Sequence, residues 1–134
     1  MSRNEWARQY VVRTLKSQAI CCPSRYLSML AETPAGGPIR GLAPWIFLPY
    51  PEYTSVYCSE ACNQPVLPFA QALGEDLIAC FQSGPANNPT VIVLNPWTHN
   101  KRLLRRAELP SFDTWLSYAY HVSRGVGMRS PTLP

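Results

Sequence analysis

Fourteen prolines are spread through 134 residues, and they restrict this chain more than any other feature. Proline fixes φ and lacks a backbone N–H, so it interrupts helices and is excluded from the middle of a sheet. Elements must therefore be short and their connections stiff. Hydrophobic residues make up 46% of the chain and charged residues 15%. That is apolar enough to offset the entropy of ordering, and a chain of this length closes one core. One domain is expected over residues 1–126, with a tail over 127–134, because Gly125 and Gly127 end the ordered pattern.

Within those limits Val66–Tyr120 carries the clearest pattern. Leu77–Phe81 is apolar on both faces and suits a central strand. Val91–Leu94 is mostly β-branched, is stopped by Asn95-Pro96, and gives the strongest strand signal. Val66-Leu67 leads into Pro68-Phe69-Ala70, Gly74-Glu75-Asp76 reads as a tight turn, and Ser83–Pro89 reads as a loop. Thr98-His99-Asn100 predicts a turn, after which the chain returns along Lys101–Arg106. Ser111 suits a helix N-cap, Asp113 complements the helix dipole, and Phe112, Trp115, Leu116 and Ala119 form one stripe.

The first half is more broken. Ser2 and Glu5 have capping-box spacing at the start of a helix over 2–18, with Trp6, Ala7, Tyr10, Val11 and Thr14 on one face. Arg3, Arg8, Arg13 and Lys16 read as its solvated basic surface. Pro23 is placed as the first residue of a second helix, with Tyr26, Leu27 and Leu30 inward and a stop before Pro34. Gly36 and Gly37 are free to take positive φ in the turn that follows. Trp45–Leu48 suits a short strand that Pro49 and Pro51 keep from the sheet centre. Thr54–Cys58 could form another, and Ser59–Gln64 a turn or single helical turn. Each of Tyr50, Tyr53 and Tyr57 is a core candidate, but burial of all three is not expected, which leaves material for an adhesive surface.

Charge and cysteine usage bound the class of partner. Twelve basic against eight acidic residues give +4, a mild excess that favours an anionic partner surface but is weak for a dedicated nucleic-acid binder. The five cysteines, Cys21, Cys22, Cys58, Cys62 and Cys80, are odd in number and include a vicinal pair, unlike a secreted disulfide framework. MSRNEWARQY has no apolar signal core, and no stretch approaches the roughly 20 apolar residues that span a bilayer. A soluble cytoplasmic protein with reduced thiols and no membrane partner is expected.

Candidate chemistry is sparse. Cys58 and Cys62 stand four apart, and His99, His121 or Cys21-Cys22 could complete a metal site, but structural zinc draws on closer, doubled pairs. Buried or indifferent cysteines are the preferred reading, with no metal and no cofactor. Neither Cys21 nor Cys22 stands in a nucleophile signature, and Ser83-Gly84 lacks the setting of a nucleophile elbow. Adjacent Glu75 and Asp76 would point to opposite faces of a strand, which does not suit an acid/base pair. No glycine-rich phosphate loop is present. The expectation is a protein without enzymatic activity. The basic run Lys101, Arg102, Arg105 and Arg106, near Trp97 and His99, has three readings. Protection of a sheet edge ranks first, contact with a protein partner a close second, and nucleic acid a distant third. The candidate partner-binding residues are Tyr50, Tyr53, Trp97, His99, Lys101, Arg102, Arg105 and Arg106.

Three stretches resemble the SUKH superfamily, the Syd- and Knr-like proteins. Pro23-Ser24-Arg25-Tyr26-Leu27 through Gly36-Gly37 is similar to that family's Pro-x-x-Tyr helix and glycine turn. Leu67-Pro68-Phe69-Ala70, then Gly74-Glu75-Asp76-Leu77-Ile78, is similar to its lead into a central strand, with Glu75 inserted in the Gly-Asp step. Val91–Leu94, a short hairpin, then Ser111-Phe112-Asp113-Thr114-Trp115-Leu116 is similar to the stretch that ends in its closing Ser-Phe-x-x-Phe/Trp-Leu helix. Asn95-Pro96 stands where the family carries an acidic residue. The resemblance implies a bacterial immunity protein that binds a cognate secreted toxin or effector and blocks it sterically. A regulatory or nucleic-acid-binding module built on Lys101–Arg106 is the alternative, and a homodimer is compatible with either. The fold expected is α+β: a mainly antiparallel sheet of about five or six strands, with two N-terminal helices and a C-terminal helix packed on it.

Overall fold

The computed structural model describes residues 2–33, 36–84 and 88–123. Its elements run α1 (Arg3–Ser17), α2 (Ser24–Glu32), β1 (Trp45–Phe47), α3 (Pro51–Cys62), β2 (Leu67–Ala72), β3 (Leu77–Gln82), β4 (Thr90–Leu94), β5 (Arg105–Leu109) and α4 (Phe112–Ser123). The protein has an α+β fold. Each strand pairs antiparallel with its sequence neighbour, giving one five-stranded sheet in the order β1-β2-β3-β4-β5. Leu77–Phe81 thus lies in the central strand, as its two apolar faces predict. Pro34-Ala35 of the expected glycine turn, residues 85–87 of the loop before β4, and the boundary and tail beyond residue 123 lie outside the described residues.

Strand alternation divides the core in two. Leu77, Ala79, Phe81, Val91 and Val93 face one way and join Val11 and Leu15 of α1, Tyr26 and Leu30 of α2, and Phe112, Trp115, Ala119 and Val122 of α4. Ile78, Cys80, Ile92 and Leu94 face the other way and join Cys58 and Cys62 of α3, with Leu48, Val66 and Leu104. Both sheet faces are therefore covered, which is why the central strands lack a polar face.

The first side is aromatic. Tyr26 meets Phe47, Phe69, Phe81 and Phe112 edge-on, with ring centroids 5.4–5.7 Å apart. Phe69 stacks on Phe81 at 4.1 Å, and Trp45 meets Trp115 edge-on at 5.3 Å. Edge-to-face and offset arrangements suit the ring quadrupoles and contribute beyond the area they bury. Burial drives the Tyr26 phenol far above its ordinary value, so it stays protonated throughout the working range. Neither the Trp45 nor the Trp115 indole N–H finds a hydrogen-bond partner among the described residues.

Helix ends follow local chemistry, with some departures from expectation. Ser2 Oγ accepts the Glu5 N–H at 3.1 Å and donates to the Glu5 carboxylate at 3.3 Å. The buried stripe of α1 is Ala7, Val11 and Leu15, while Trp6, Tyr10 and Thr14 are only half-buried. Pro23 is the N-cap of α2, one position earlier than expected, with an extended ψ of 127°. Gly36 takes φ +86° beside Pro49, as the expected turn requires. Gly74 at φ +82° and Asp76 at φ +55° form the tight β2–β3 turn. Ser111 caps α4 through its hydroxyl, which accepts the Thr114 N–H at 3.1 Å.

The largest correction concerns Thr54–Cys58. Tyr, Thr and Val favour strands, yet this segment lies inside α3, together with most of the expected Ser59–Gln64 turn. Pro51 stands in the first turn, where its missing N–H costs nothing, and Glu52 complements the dipole. Pro51, Thr54, Cys58 and Cys62 are buried at helical spacing, and Asn63 closes the helix at φ +55°. Burial of that stripe overrides the β preference of the residues between.

Candidate interaction surface

α3 is the sole helix among the described residues on its side of the sheet, and its narrow buried stripe leaves much of it outside. Tyr53 is 69% exposed and Val56 61%, with Tyr50 and Tyr57 also exposed. These residues stand at i, i+3, i+6 and i+7 along the helix start and its outer face. Each of the three tyrosines is a core candidate in the sequence, with burial of all three not expected; all three are outside. Three serine hydrogen bonds hold the helix against Val66, the residue before β2. Ser55 and Ser59 hydroxyls donate to the Val66 carbonyl at 3.2 and 3.3 Å, and the Val66 N–H donates to Ser59 Oγ at 3.2 Å.

The N-terminal end of α3 is tied to α1. Arg3 pairs with Glu52 at 3.0 Å and also donates to the Pro49 carbonyl. Its guanidinium lies 4.1 Å from the Tyr50 ring centroid and 4.9 Å from that of Trp6. Tyr50 in turn neighbours Tyr53 at 5.9 Å. Arg3, expected on a solvated face, therefore orders the aromatic surface through cation–π contact.

At its other end the surface passes to the β4–β5 connection, where Tyr57 and Trp97 rings lie 6.1 Å apart at 44°. This connection is held by its own side chains. Asn95 Oδ1 accepts the Trp97 N–H at 3.1 Å, Thr98 Oγ1 accepts the Asn100 N–H at 3.1 Å, and Asn100 Oδ1 accepts the Arg102 N–H at 3.0 Å. The Asn95 N–H donates to the Leu104 carbonyl at 2.8 Å, and the Leu104 side chain is buried among the α3-side residues. Asn and Thr side chains bonding locally favour such turns over a regular ladder. The expected return of the chain along Lys101–Arg106 accordingly starts with a 3-10 turn over Lys101–Leu103, and β5 begins at Arg105.

The basic run is divided by this geometry. His99, Lys101 and Arg102 are exposed on the connection that presents Trp97. Arg105 and Arg106 lie at a β-bulge, where the pairing skips from Leu94–Arg105 to Val93–Ala107. Residues three apart in a regular strand point to opposite faces. The extra residue restores the parity, and Arg105 pairs with Glu108 at 2.7 Å. Its charge also lowers the Cys62 thiol against the stronger upward push of burial. The charge of Arg106 lowers Tyr118 on α4, again against burial. The two arginines therefore act on different helices. β5 is an edge strand with Arg105, Arg106 and Glu108 along it, an arrangement that deters pairing with another chain. At the other edge, Gly36 and Ile39 N–H groups donate to the carbonyls of Phe47 and Trp45, covering part of β1.

The cysteines distribute as three buried and two outside. Cys58 and Cys62 of α3 face Cys80 of β3, and burial raises Cys62 and, more strongly, Cys80. Cys21 is exposed and Cys22 half-buried, its thiol pushed up by burial to about 11. No three His, Cys, Asp or Glu side chains stand together in a way that could hold a metal ion among the described residues. His99 stands on the β4–β5 connection and His121 on α4, so neither joins Cys58 and Cys62 in that core.

Of the candidate partner-binding residues, Tyr50 and Tyr53 share one surface with Trp97, reached through Tyr57. Val56, which the sequence did not single out, and Tyr57, considered there with the other two tyrosines, belong to that surface. Their signal was present in the proline-led helix start and the spacing of Thr54, Cys58 and Cys62. No protein-family model, curated protein or solved structure matches the chain. Fold and surface together define a class: an α+β protein with an ordered aromatic face beside exposed cations. No helix of the described residues is long and apolar enough to cross a membrane.

Proposed function

We propose that this protein is a cytoplasmic binding module, an immunity protein of the SUKH type that covers and blocks a cognate secreted toxin or effector. The observation carrying the proposal is the α3 face, where Tyr50, Tyr53, Val56 and Tyr57 continue onto Trp97. Exposed aromatic residues held in place lose little entropy on docking, and Tyr, Trp and Arg dominate binding energy at protein interfaces. Arg3 and the Asn95–Asn100 bonds supply that order in advance. Blocking is steric and requires no reaction. The exposed cations Lys101 and Arg102 favour a partner surface carrying carboxylates around an apolar centre. The alternative of nucleic-acid binding draws less support, because Arg105 is paired with Glu108 and Arg106 is half-buried.

Genome context and co-expression test the reading: a toxin domain should be encoded beside this gene, and it is co-expressed with this protein. Rescue of poisoned cells is expected, and rescue is expected to be lost when Tyr53→Ala and Trp97→Ala are combined. Failure of the wild-type protein to rescue overturns the immunity reading. Rescue that survives the double substitution moves the contact away from α3.

A further inference from the structure

A second surface lies on the opposite side of the sheet, between α2 and α4. A groove of about 520 Å³ is lined there by Arg25, Met29, Arg40, Leu42, Leu116 and Tyr120, and also by His121. Met29 and Leu116 are half-buried beside the main core, so the groove has an apolar floor. Its rim is cationic. Arg25 and Arg40 are in no ion pair among the described residues, and no carboxylate lines the groove.

We infer that this groove docks an acidic amphipathic protein segment, with apolar side chains on Met29 and Leu116 and carboxylates against Arg25 and Arg40. Two packed helices with an apolar seam accept a third element by its apolar face. Methionine adapts to the shape of what it meets. Two unpaired guanidiniums select carboxylates, because planar donors engage them in pairs. The chain's own last residues, RGVGMRSPTLP, carry two arginines and no acidic residue, so they have the wrong charge for this rim. A second copy is disfavoured for the same reason, since the protein carries +4 overall. The site is independent of the α3 face and does not rest on the immunity reading.

The test is selection of a random linear peptide library on the purified full chain, followed by fluorescence anisotropy with the strongest peptide. Expected are sequences rich in Asp and Glu around Leu, Phe or Met. Combined Arg25→Glu and Arg40→Glu should weaken binding by about ten-fold or more, whereas Tyr53→Ala leaves it unchanged. Arg25 stands in the first turn of α2, which has no acidic residue there, so glutamate suits the helix dipole and the variant should fold. Leu116→Ala should weaken the same peptide through the floor. Peptides without acidic enrichment, or binding that survives charge reversal, overturn the inference. So does the absence of any groove-dependent peptide together with charge-dependent binding to phosphatidylserine vesicles, which would assign the rim to a membrane surface.

Discussion

The two sides of the sheet use aromatic residues in opposite ways. On the side of α1, α2 and α4, Tyr26, Phe47, Phe69, Phe81, Phe112, Trp45 and Trp115 are buried and contact one another. On the side of α3 the core is aliphatic and cysteine, and the aromatic residues Tyr50, Tyr53, Tyr57 and Trp97 are outside it. Large rings are thus cohesive on one side and displayed on the other. Pro51, Thr54, Cys58 and Cys62 occupy the buried positions of the α3 repeat, which leaves its tyrosines on the outer side of the helix. A residue type alone therefore does not assign a role; its place in the helical repeat does.

The comparison breaks most visibly if the aromatic side is truncated. Trp115→Ala removes a fully buried ring that meets Trp45, Phe69 and Phe112. It should cost about 3–5 kcal/mol in urea unfolding, and Trp115→Phe distinctly less. A loss below about 1 kcal/mol would show that the ring cluster is not the cohesive side.

On the α3 side a smaller loss is expected. Cys80→Ser places a hydroxyl among Cys58, Ile78, Ile92 and Leu94 with no assured acceptor, and should cost about 1–3 kcal/mol. Thiol labelling sharpens the same contrast. Cys21 should react first, Cys22 more slowly because burial raises its thiol to about 11, and Cys58, Cys62 and Cys80 only on unfolding. Because the folded Cys22 retains its proton where the unfolded thiol, ordinarily near 9.0, has lost it, stability present at neutral pH should decline from pH 9 towards 11. The raised Cys80 thiol and Tyr26 phenol act in the same direction. Urea midpoints across that range check the sign, and Cys22→Ala should soften the first part of the decline.

How far the sequence was legible follows from the same asymmetry. β3, β4, the Gly74 turn and the Ser111 cap were readable because local chemistry and tertiary packing agree there. The stretches on which the proposed SUKH resemblance rests include Tyr26 at the centre of four rings, Gly74 at a positive φ and Ser111 at a cap. These residues build the frame and say nothing of a binding surface. α3 departs from the strand expected over Thr54–Cys58 because the strand preference of Tyr53, Val56 and Tyr57 outweighs, in the sequence, the helical spacing of Thr54, Cys58 and Cys62. The division of Arg105 from Arg106 was hidden too, since a bulge arises from pairing between strands and not from the run itself.

The smallest stability effect is the most discriminating. Tyr53→Ala removes a ring that is 69% exposed and whose aromatic neighbour, Tyr50, remains held by Arg3. Surface truncation of this kind should shift unfolding by no more than about 0.5 kcal/mol. If the ring belongs to a docking surface, the same change should weaken partner binding by about 2 kcal/mol, near the threshold of an interface anchor. The two effects should therefore separate by several-fold, whereas Trp115→Ala should lower binding only as far as it unfolds the protein. A Tyr53→Ala protein that loses stability and binding in equal proportion would place the ring in the frame, and the contrast between the two sides of the sheet would fail at the residue where it is sharpest.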